Sequence, residues 1–368
     1  MNLAFDEKWP RLIGGAIGYI SFDAITYWEN IKSKKEHELN SPYIEFGIYD
    51  DGFVFDHTTR QAFYYFREKD RSNYIKSALG ESINKHNLSY SKPKVNIDFD
   101  SFCEKVIKIK DYISSGDVFQ AVLSKRYEFN IRGDLICFYE ALRRINPSPY
   151  MYFLKMEDRQ IVGSSPEMLV RVDNGIVETF PIAGTRPKLD DEIANYAIQK
   201  ELLVDPKECA EHVMLVDLAR NDLGKVCEFG SICVPEFMEV HQYSHVHHIV
   251  SRVQGKLRRN NDAFDTFRGV FPAGTVTGAP KIRAIEIIDE LEPIRRGPYA
   301  GAIGYFSYNG NADFAITIRT LVSNGNKAYI QVGAGIVADS DPLKEWAETE
   351  HKVKALMKAL EASGMSNK

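Results

Sequence analysis

The early part of the chain alternates apolar and polar positions with a period of two, and later stretches change to a helical period. Ile44-Glu-Phe-Gly-Ile-Tyr49, the turn Asp50-Asp-Gly52 and Phe53-Val-Phe55 predict a β-hairpin, with Ala62-Phe-Tyr-Tyr-Phe66 as a third strand. The polar stretch from Gly80 to Asp98, which contains Pro93, predicts a linker. Phe102, Val106, Ile109 and Ile113 recur at three to four residues and predict a helix. The closing helix has Asp341 as a cap and Pro342 at its first position. Its apolar stripe is Trp346, Val353, Leu356, Met357 and Leu360. Gly15-Ala-Ile-Gly-Tyr-Ile-Ser-Phe-Asp23 echoes Gly301-Ala-Ile-Gly-Tyr-Phe-Ser-Tyr-Asn309, which points to duplication of a sheet unit. Strands and helices interspersed without strict alternation predict an α+β fold. The resulting division is an N-terminal sheet region at 1–78, a linker at 79–99 and a main core at 100–364.

Composition narrows the class. A chain of 368 residues suggests two domains or one large duplicated one. Hydrophobic residues at 44% and charged residues at 26% suit an ordinary globular core. A net charge of −5 argues against a nucleic-acid binder. The apolar runs are too short to span a bilayer, and Met1–Phe22 lacks a basic-then-apolar leader pattern, so a cytosolic protein is expected. Cys103, Cys137, Cys209, Cys227 and Cys233 are odd in number, scattered and without a C-x-x-C, as reduced thiols would be.

Several clusters could carry chemistry. Glu208-x-x-Glu211 and Glu345-x-x-Glu348 each put two carboxylates on one helix face. Four such oxygen donors could converge on Mg²⁺ or Ca²⁺, or they could be solvated faces. His241, His245, His247 and His248 do not match zinc spacings, and a strand would send His247 and His248 to opposite sides. Gly274-Thr-Val-Thr-Gly-Ala-Pro-Lys281 is not a Walker loop, because Ala279 and Pro280 separate the second glycine from the lysine. The helix opening at Pro280 could hold a carboxylate at its N-terminus. Gly333-Ala-Gly335 allows close backbone approach, and Tyr299 and Arg319 supply a hydroxyl and a carboxylate fork. The sum is a site for a small polycarboxylate with a divalent metal.

Longer words carry a resemblance. Pro181-Ile-Ala-Gly-Thr-Arg-Pro187, Glu211-His-Val-Met-Leu-Val-Asp-Leu-Ala-Arg-Asn-Asp222 and Phe271-Pro-Ala-Gly-Thr-Val-Thr-Gly-Ala-Pro-Lys281 resemble the chorismate-utilising enzymes. More narrowly they are similar to the anthranilate synthase large-subunit family, from about Gly14 to Leu360, with Ser164-Ser-Pro-Glu167 and Gly333-Ala-Gly-Ile-Val337 included. The resemblance implies two orthogonal antiparallel sheets packed face to face, with helices outside and internal duplication. Residues 100–364 then form the chorismate-binding catalytic core.

The resemblance also implies roles. Glu211 and Glu348 bind Mg²⁺, with Glu208 and Glu345 as an outer carboxylate shell. Tyr299, Arg319 and the Gly333, Ala334 and Gly335 backbone hold the enolpyruvyl carboxylate, while Gly184, Thr185 and Thr275 line the ring. Glu167 is the expected acid and His248 the expected base. Water-using relatives carry lysine where this chain has Gln120, and aminodeoxychorismate synthases carry lysine where it has Ala183. Both positions therefore point to ammonia chemistry giving anthranilate and pyruvate. The other readings are an aminodeoxychorismate synthase, an isochorismate or salicylate synthase, or a non-catalytic scaffold subunit. The glutamine amidotransferase is expected as a separate chain. Pro149, Tyr150 and Met151 match one wall of the family's tryptophan site; the Leu-Leu-Glu-Ser word of the other wall is not in these 368 residues, so insensitivity to tryptophan is expected.

Overall fold

Alternation along the strands builds a sandwich with both faces of one sheet buried. In Arg159–Ser165, Thr320–Asn324 and Lys327–Ile336, the residues Ile161, Val322 and Tyr329 enter one core. Their neighbours Val162, Leu321 and Ile330 enter another, beneath the helices Ile136–Ile145 and Pro342–Ser363. Strands apolar at both alternating positions need cover on both sides.

The computed structural model describes residues 10–31, 33, 35, 41–78, 88–242 and 246–367, without the side chains of Thr185 and residues 365–367. It contains two nine-stranded sheets and a two-stranded one. The first large sheet runs Ile182–Pro187, Val246–Lys256, Ile176–Thr179, Met168–Asp173, Ala312–Ile316, Ala302–Ser307, Gly15–Ile20 and Ile44–Tyr49. Cys233–Gln242 pairs with Val246–Lys256 as well. The second runs Gly364–Asn367, Leu88–Ser91, Gln120–Arg132, Lys327–Ile336, Thr320–Asn324, Arg159–Ser165 and Tyr150–Met156, with two short strands added to Gln120–Arg132. Leu88–Ser91 with Gly364–Asn367 is parallel, and the other described pairings of these sheets are antiparallel. Tyr19, Ile303 and Phe314 of the first sheet share a core with Ile161, Val322 and Tyr329 of the second. The expected α+β architecture of two antiparallel sheets holds.

The sequence echo becomes a symmetry element. Its two copies are antiparallel neighbours, and Gly18 stands opposite its own counterpart, Gly304. A Cβ at Gly18 or Gly304 would collide with the carbonyl of Glu45 or Asp313 on the next strand. A duplicated glycine thus lets a duplicated strand be flanked closely on both sides.

Two expectations are corrected. Ile44–Tyr49 pairs with Gly15–Ile20, and the hairpin is Asp51–Asp56 with Gln61–Phe66. One residue between Tyr49 and Asp51 is too short a connection for a hairpin, whereas His57–Arg60 is long enough. That loop is closed by the Asp56 side chain, which accepts from the Thr58 and Thr59 amides at 2.8 and 3.2 Å. Within the expected linker, Leu88–Ser91 and Lys94–Val95 are paired strands, because Leu88 and Tyr90 are buried against Phe129 and Ile131. Residues 79–87 of that linker lie outside the described residues.

The helix signals translate directly. Asp98, Asp205 and Asp341 each accept from a first-turn amide, opening Phe99–Ser114, Pro206–Gly224 and Pro342–Ser363. No described helix is long and apolar enough to cross a membrane.

A buried ion pair ties the second sheet to the loops around it. Arg296 donates to Glu292 Oε2 at 2.9 Å and Oε1 at 2.7 Å, and also to the carbonyls of Val276 and Val122. Glu292 Oε1 accepts from the Ser124 amide at 2.8 Å and its hydroxyl at 2.7 Å. Removing one member leaves the other charge buried without a partner. Glu292→Gln is therefore expected to cost about 3–5 kcal/mol, seen as a lower urea midpoint at unchanged slope. A wild-type midpoint would show that the pair does not hold these loops.

Candidate active site

Two capped helices deliver the acidic side chains. Asp205 accepts from the Lys207 and Glu208 amides, which opens the first helix just before Glu208 and Glu211. Pro342–Ser363 carries Glu345, Glu348 and Lys352. The helices meet. Burial raises the Glu211 pKa, and the negative charges of Glu208, Glu348 and Glu345 raise it further. Glu345 is raised by burial first and by Glu348 next, while Ser340 and the lysines at 207 and 352 oppose the shift. Glu208, Glu345 and Glu348 are thus all within electrostatic reach of Glu211.

Two cations sit among them. Arg186 donates to Glu208 and to Asp205, both at 2.9 Å. The Lys352 ammonium lies 2.6 Å from Glu348 Oε1 and donates to the Gly333 carbonyl at 2.9 Å. Sequence analysis did not single out Lys352, although its i,i+4 spacing from Glu348 was a usable signal. With Lys207, which acts on Glu211 and Glu345, and Asp205, which shares Arg186, five carboxylates against three cations leave two negative charges, and the donors are all hard oxygens. That donor set fits a divalent cation. The four glutamates do not bring three ligand atoms within 4.8 Å of one another; among the described residues Glu236, Glu239 and His241, on a largely exposed edge strand, do.

Glu167 faces this cluster from the turn between the Arg159–Ser165 and Met168–Asp173 strands. Its amide donates to Ser165 Oγ at 3.3 Å and its carbonyl accepts from the Ile316 amide at 3.0 Å, so its backbone is pinned on both sides. Burial pushes its carboxyl up to about 7, against the opposing pull of Thr275, Lys352 and Arg319. With Thr275, Gly274, Pro181 and Leu218 it lines a cavity. The Thr275 hydroxyl is close enough to favour the ionised acid, yet Oγ1 is buried without a partner at bonding distance. The Lys281 helix start does not line this cavity. The preceding Gly278–Ala279 pairs with Gln120–Ala121, and the Lys281 ammonium reaches Asp222 at 2.9 Å.

Arg319 adopts a left-handed φ of 52°. Among the described residues its guanidinium makes no hydrogen bond or ion pair at bonding distance. Burial lowers its pKa, while Tyr299, Glu348 and Glu167 act in the opposite direction. A desolvated fork with unmet donors is a place for an anion. A Cβ at Gly333 would lie 2.8 Å from the Tyr299 hydroxyl, so glycine is what admits that hydroxyl to the strand. Gly335 is held free of a Cβ by the Gln120 amide nitrogen, and the buried Gln120 Oε1 has no partner. The Ala334 side chain packs in the core with Phe102 and Ile287, leaving only its backbone for a ligand.

His248 closes the site opposite. Its Nδ1 lies 2.9 Å from the Gly184 carbonyl, an acceptor that requires Nδ1–H and makes Nε2 the basic nitrogen. Burial lowers its pKa, and Arg319 and His247 lower it further against the Gly184 bond. Gly184 has φ +64°, and a Cβ there would lie 3.2 Å from Glu208 Oε2, so only glycine fits without strain. The Thr185 side chain lies outside the described residues.

His247 and His212 are used elsewhere. His247 points away to Asn195 at 3.2 Å and Gln199 at 3.4 Å, and His245 lies outside the described residues. His212 is buried against Ser251 at 2.6 Å, with its pKa pushed down to about 4 by desolvation. The wall at Pro149, Tyr150 and Met151 belongs to a different cluster: Tyr150 donates to Asp313 at 2.8 Å, and Arg171 donates to both.

The chain is similar to known proteins along nearly its whole length. A family model described as chorismate binding enzyme matches residues 2–358. The chain is 51% identical over 362 residues to anthranilate synthase component 1 of Methanothermobacter marburgensis, covering 98% of this chain and 78% of that protein. It is 43% identical over 372 residues to aminodeoxychorismate synthase component 1 of Bacillus subtilis, covering 97% and 79%. The crystal structure of anthranilate synthase component I from Streptococcus pneumoniae superposes with a TM-score of 0.87 at 39% identity, covering 96% of this chain and 82% of that one.

The charge count makes a prediction that is independent of turnover. Mn²⁺ or Mg²⁺ at one hundred times its Kd should stabilise the chain by about 2.7 kcal/mol. Glu211→Gln should melt no lower than wild type without the ion and should lose the ion-dependent rise. An equal rise in the variant, measured by differential scanning fluorimetry, would place the ion elsewhere.

Proposed function

The chain belongs to the chorismate binding enzyme family, and from that premise we propose that it is the chorismate-converting component of an anthranilate synthase. Chorismate and ammonia give anthranilate, pyruvate and water. The observation that carries the reading is the opposed pair Glu167 and His248. One is a carboxyl held protonated up to about pH 7, the other an imidazole held neutral with Nε2 as its base. Environments that drive two titrating groups apart in this way suit an acid and a base working together.

The family resemblance assigns the steps to these groups. Arg319, Tyr299 and the Gly333–Gly335 backbone hold the enolpyruvyl carboxylate, with Gly184, Thr185 and Thr275 along the ring. Glu167 gives its proton to the hydroxyl leaving C4 as ammonia adds at C2. His248 then takes the ring proton as the enolpyruvyl C–O bond breaks and pyruvate departs. Glu211 and Glu348 would hold Mg²⁺, with Glu208 and Glu345 around them; the ion, when bound, neutralises the ring carboxylate. Lys352, between Glu348 and Gly333, adds positive charge on the same side.

Relatives of both aminating activities exceed 40% identity, so overall similarity does not divide them. Two positions do. Ala183 offers no amine to attack the ring, and Gln120 is no general base for water, whereas ammonia needs none. The isochorismate synthase likeness, for example to the protein from Bacillus anthracis at TM-score 0.69 and 23% identity, concerns the fold alone. The relatives' designation as component 1 implies a second component; a glutamine amidotransferase subunit that supplies ammonia is the partner we propose. Free thiols at all five cysteines suit the reducing cytoplasm.

The test is direct. Chorismate, ammonium and Mg²⁺ should give anthranilate fluorescence with equimolar pyruvate, and glutamine alone should give none. Isochorismate, or a para amine with pyruvate retained, would overturn the reading. The pH dependence of kcat/KM should be a narrow bell. It should rise as His248 loses its proton below 6.5 and fall as Glu167 ionises near 7. Glu167→Gln should lose about 10²–10⁴ in kcat and the alkaline limb with it. An unchanged alkaline limb would assign the acid to another group.

A further inference from the structure

Lys125 is a fully buried lysine that plays no part in the chemistry above. It sits on the Gln120–Arg132 strand with no exposed side-chain surface. Its ammonium lies 2.8 Å from the centre of the Trp346 ring, with Phe102 and Tyr127 each at 5.6 Å. It also lies 2.5 Å from Glu350 Oε1, to which the Tyr127 hydroxyl donates as well. Desolvation lowers its pKa to about 8, although Glu350 opposes the shift.

The two groups it grips lie one turn apart on the Pro342–Ser363 helix. Successive helical residues are about 100° apart, so Trp346 and Glu350 share one face. Glu345, Glu348 and Lys352 share another, roughly opposite. Contacts at i and i+4 fix both rotation about the helix axis and position along it. An apolar stripe such as Val353, Leu356 and Leu360 fixes rotation more loosely, because hydrophobic contact is non-directional. Packing alone would be served by an apolar side chain in this aromatic box, since replacing a buried ion pair with apolar groups is often neutral or stabilising.

We propose that Lys125 is a positioning residue that clamps the Pro342–Ser363 helix from behind, setting the rotation and height at which Glu345 and Glu348 meet Glu208 and Glu211. This rests on the carboxylates being the metal site of the proposed function. A clamp of this kind acts on ion affinity through geometry and leaves the acid and base untouched.

Lys125→Met, which fills the box without the charge, is the variant to make, with Glu350→Gln as a second that removes one grip at the half-exposed end. Mn²⁺ binding to the full-length chain is measured by electron paramagnetic resonance without substrate, beside thermal unfolding. Lys125→Met should keep a wild-type or higher melting temperature and bind Mn²⁺ about tenfold more weakly; Glu350→Gln should fall between. In the ammonia-dependent assay KM for Mg²⁺ should rise by the same factor while the pH limits stay in place. If Lys125→Met does not fold, Glu350→Gln carries the test. Wild-type Mn²⁺ affinity in the folded variant, or a loss matched by an equal loss of stability, would overturn the clamp. Weakened ion binding in a chain that makes no anthranilate would leave the clamp standing and overturn the proposed function.

Discussion

The buried pair of Arg296 and Glu292 is the contact on which the rest of the structure leans. Both side chains are almost wholly enclosed. Charges taken out of water are tolerated only if every donor and acceptor finds a partner, and here the partners come from all sides. Ser124 and Gln331 continue the network into adjacent strands, and Arg126 closes it onto the carbonyls of Arg295 and Arg296. Asp23, on the far side, accepts from the Gly297 amide at 2.7 Å. One pair therefore connects the N-terminal echo, the Gly274–Val276 turn and the centre of the second sheet.

Those connected pieces form the floor of the site. Val276 follows Thr275, which flanks Glu167; Tyr299 follows Arg296 by less than a helical turn and reaches Gly333; Val122 and Ser124 follow Gln120. Gln120 and Gly333 stand in neighbouring strands, whereas Thr275 and Tyr299 lie in turns between elements. The backbone beside Thr275 and Gln120 is hydrogen-bonded to the buried Arg296. A low-dielectric interior strengthens such bonds and penalises any that are missing, so the floor is rigid where the ligand-facing groups stand.

Above that floor the electrostatics are arranged in opposition. Carboxylates crowd one wall, with Arg186 and Lys352 offsetting part of their charge, and Arg319 faces them from the other. Burial raises the Glu167 pKa to about 7 and lowers that of His248, so Glu167 is still partly protonated near neutral pH while the imidazole is neutral. The same desolvation thus shifts the two groups in opposite directions, because it disfavours whichever form of a group is charged. Crowded carboxylates and an unsatisfied guanidinium together describe a site that is electrostatically incomplete without cation and anion.

Local features of the chain were legible because their causes are local. Asp341 caps the helix it precedes, apolar spacing marks the buried stripe of that helix, and spacing of three put both glutamate pairs on one face. The glycine echo showed a repeat, and long motif words led to the family. What the linear pattern does not contain is pairing. That Gly18 would stand against Gly304, that Ile44–Tyr49 would leave its apparent hairpin for the larger sheet, and that Leu88–Ser91 would be a strand were decided by which apolar faces could be covered. Lys352 and Lys125 looked like ordinary surface lysines until folding placed one beside Glu348 and the other inside an aromatic box. The sequence by itself determined the α+β class, the family and the start of the last helix, and it offered the candidate groups, since capping, periodicity and side-chain chemistry act over a few residues. Only the tertiary structure decided strand partners, the four-carboxylate meeting and the opposed shifts of Glu167 and His248, because burial and long-range electrostatics exist only once distant segments exclude water from one another.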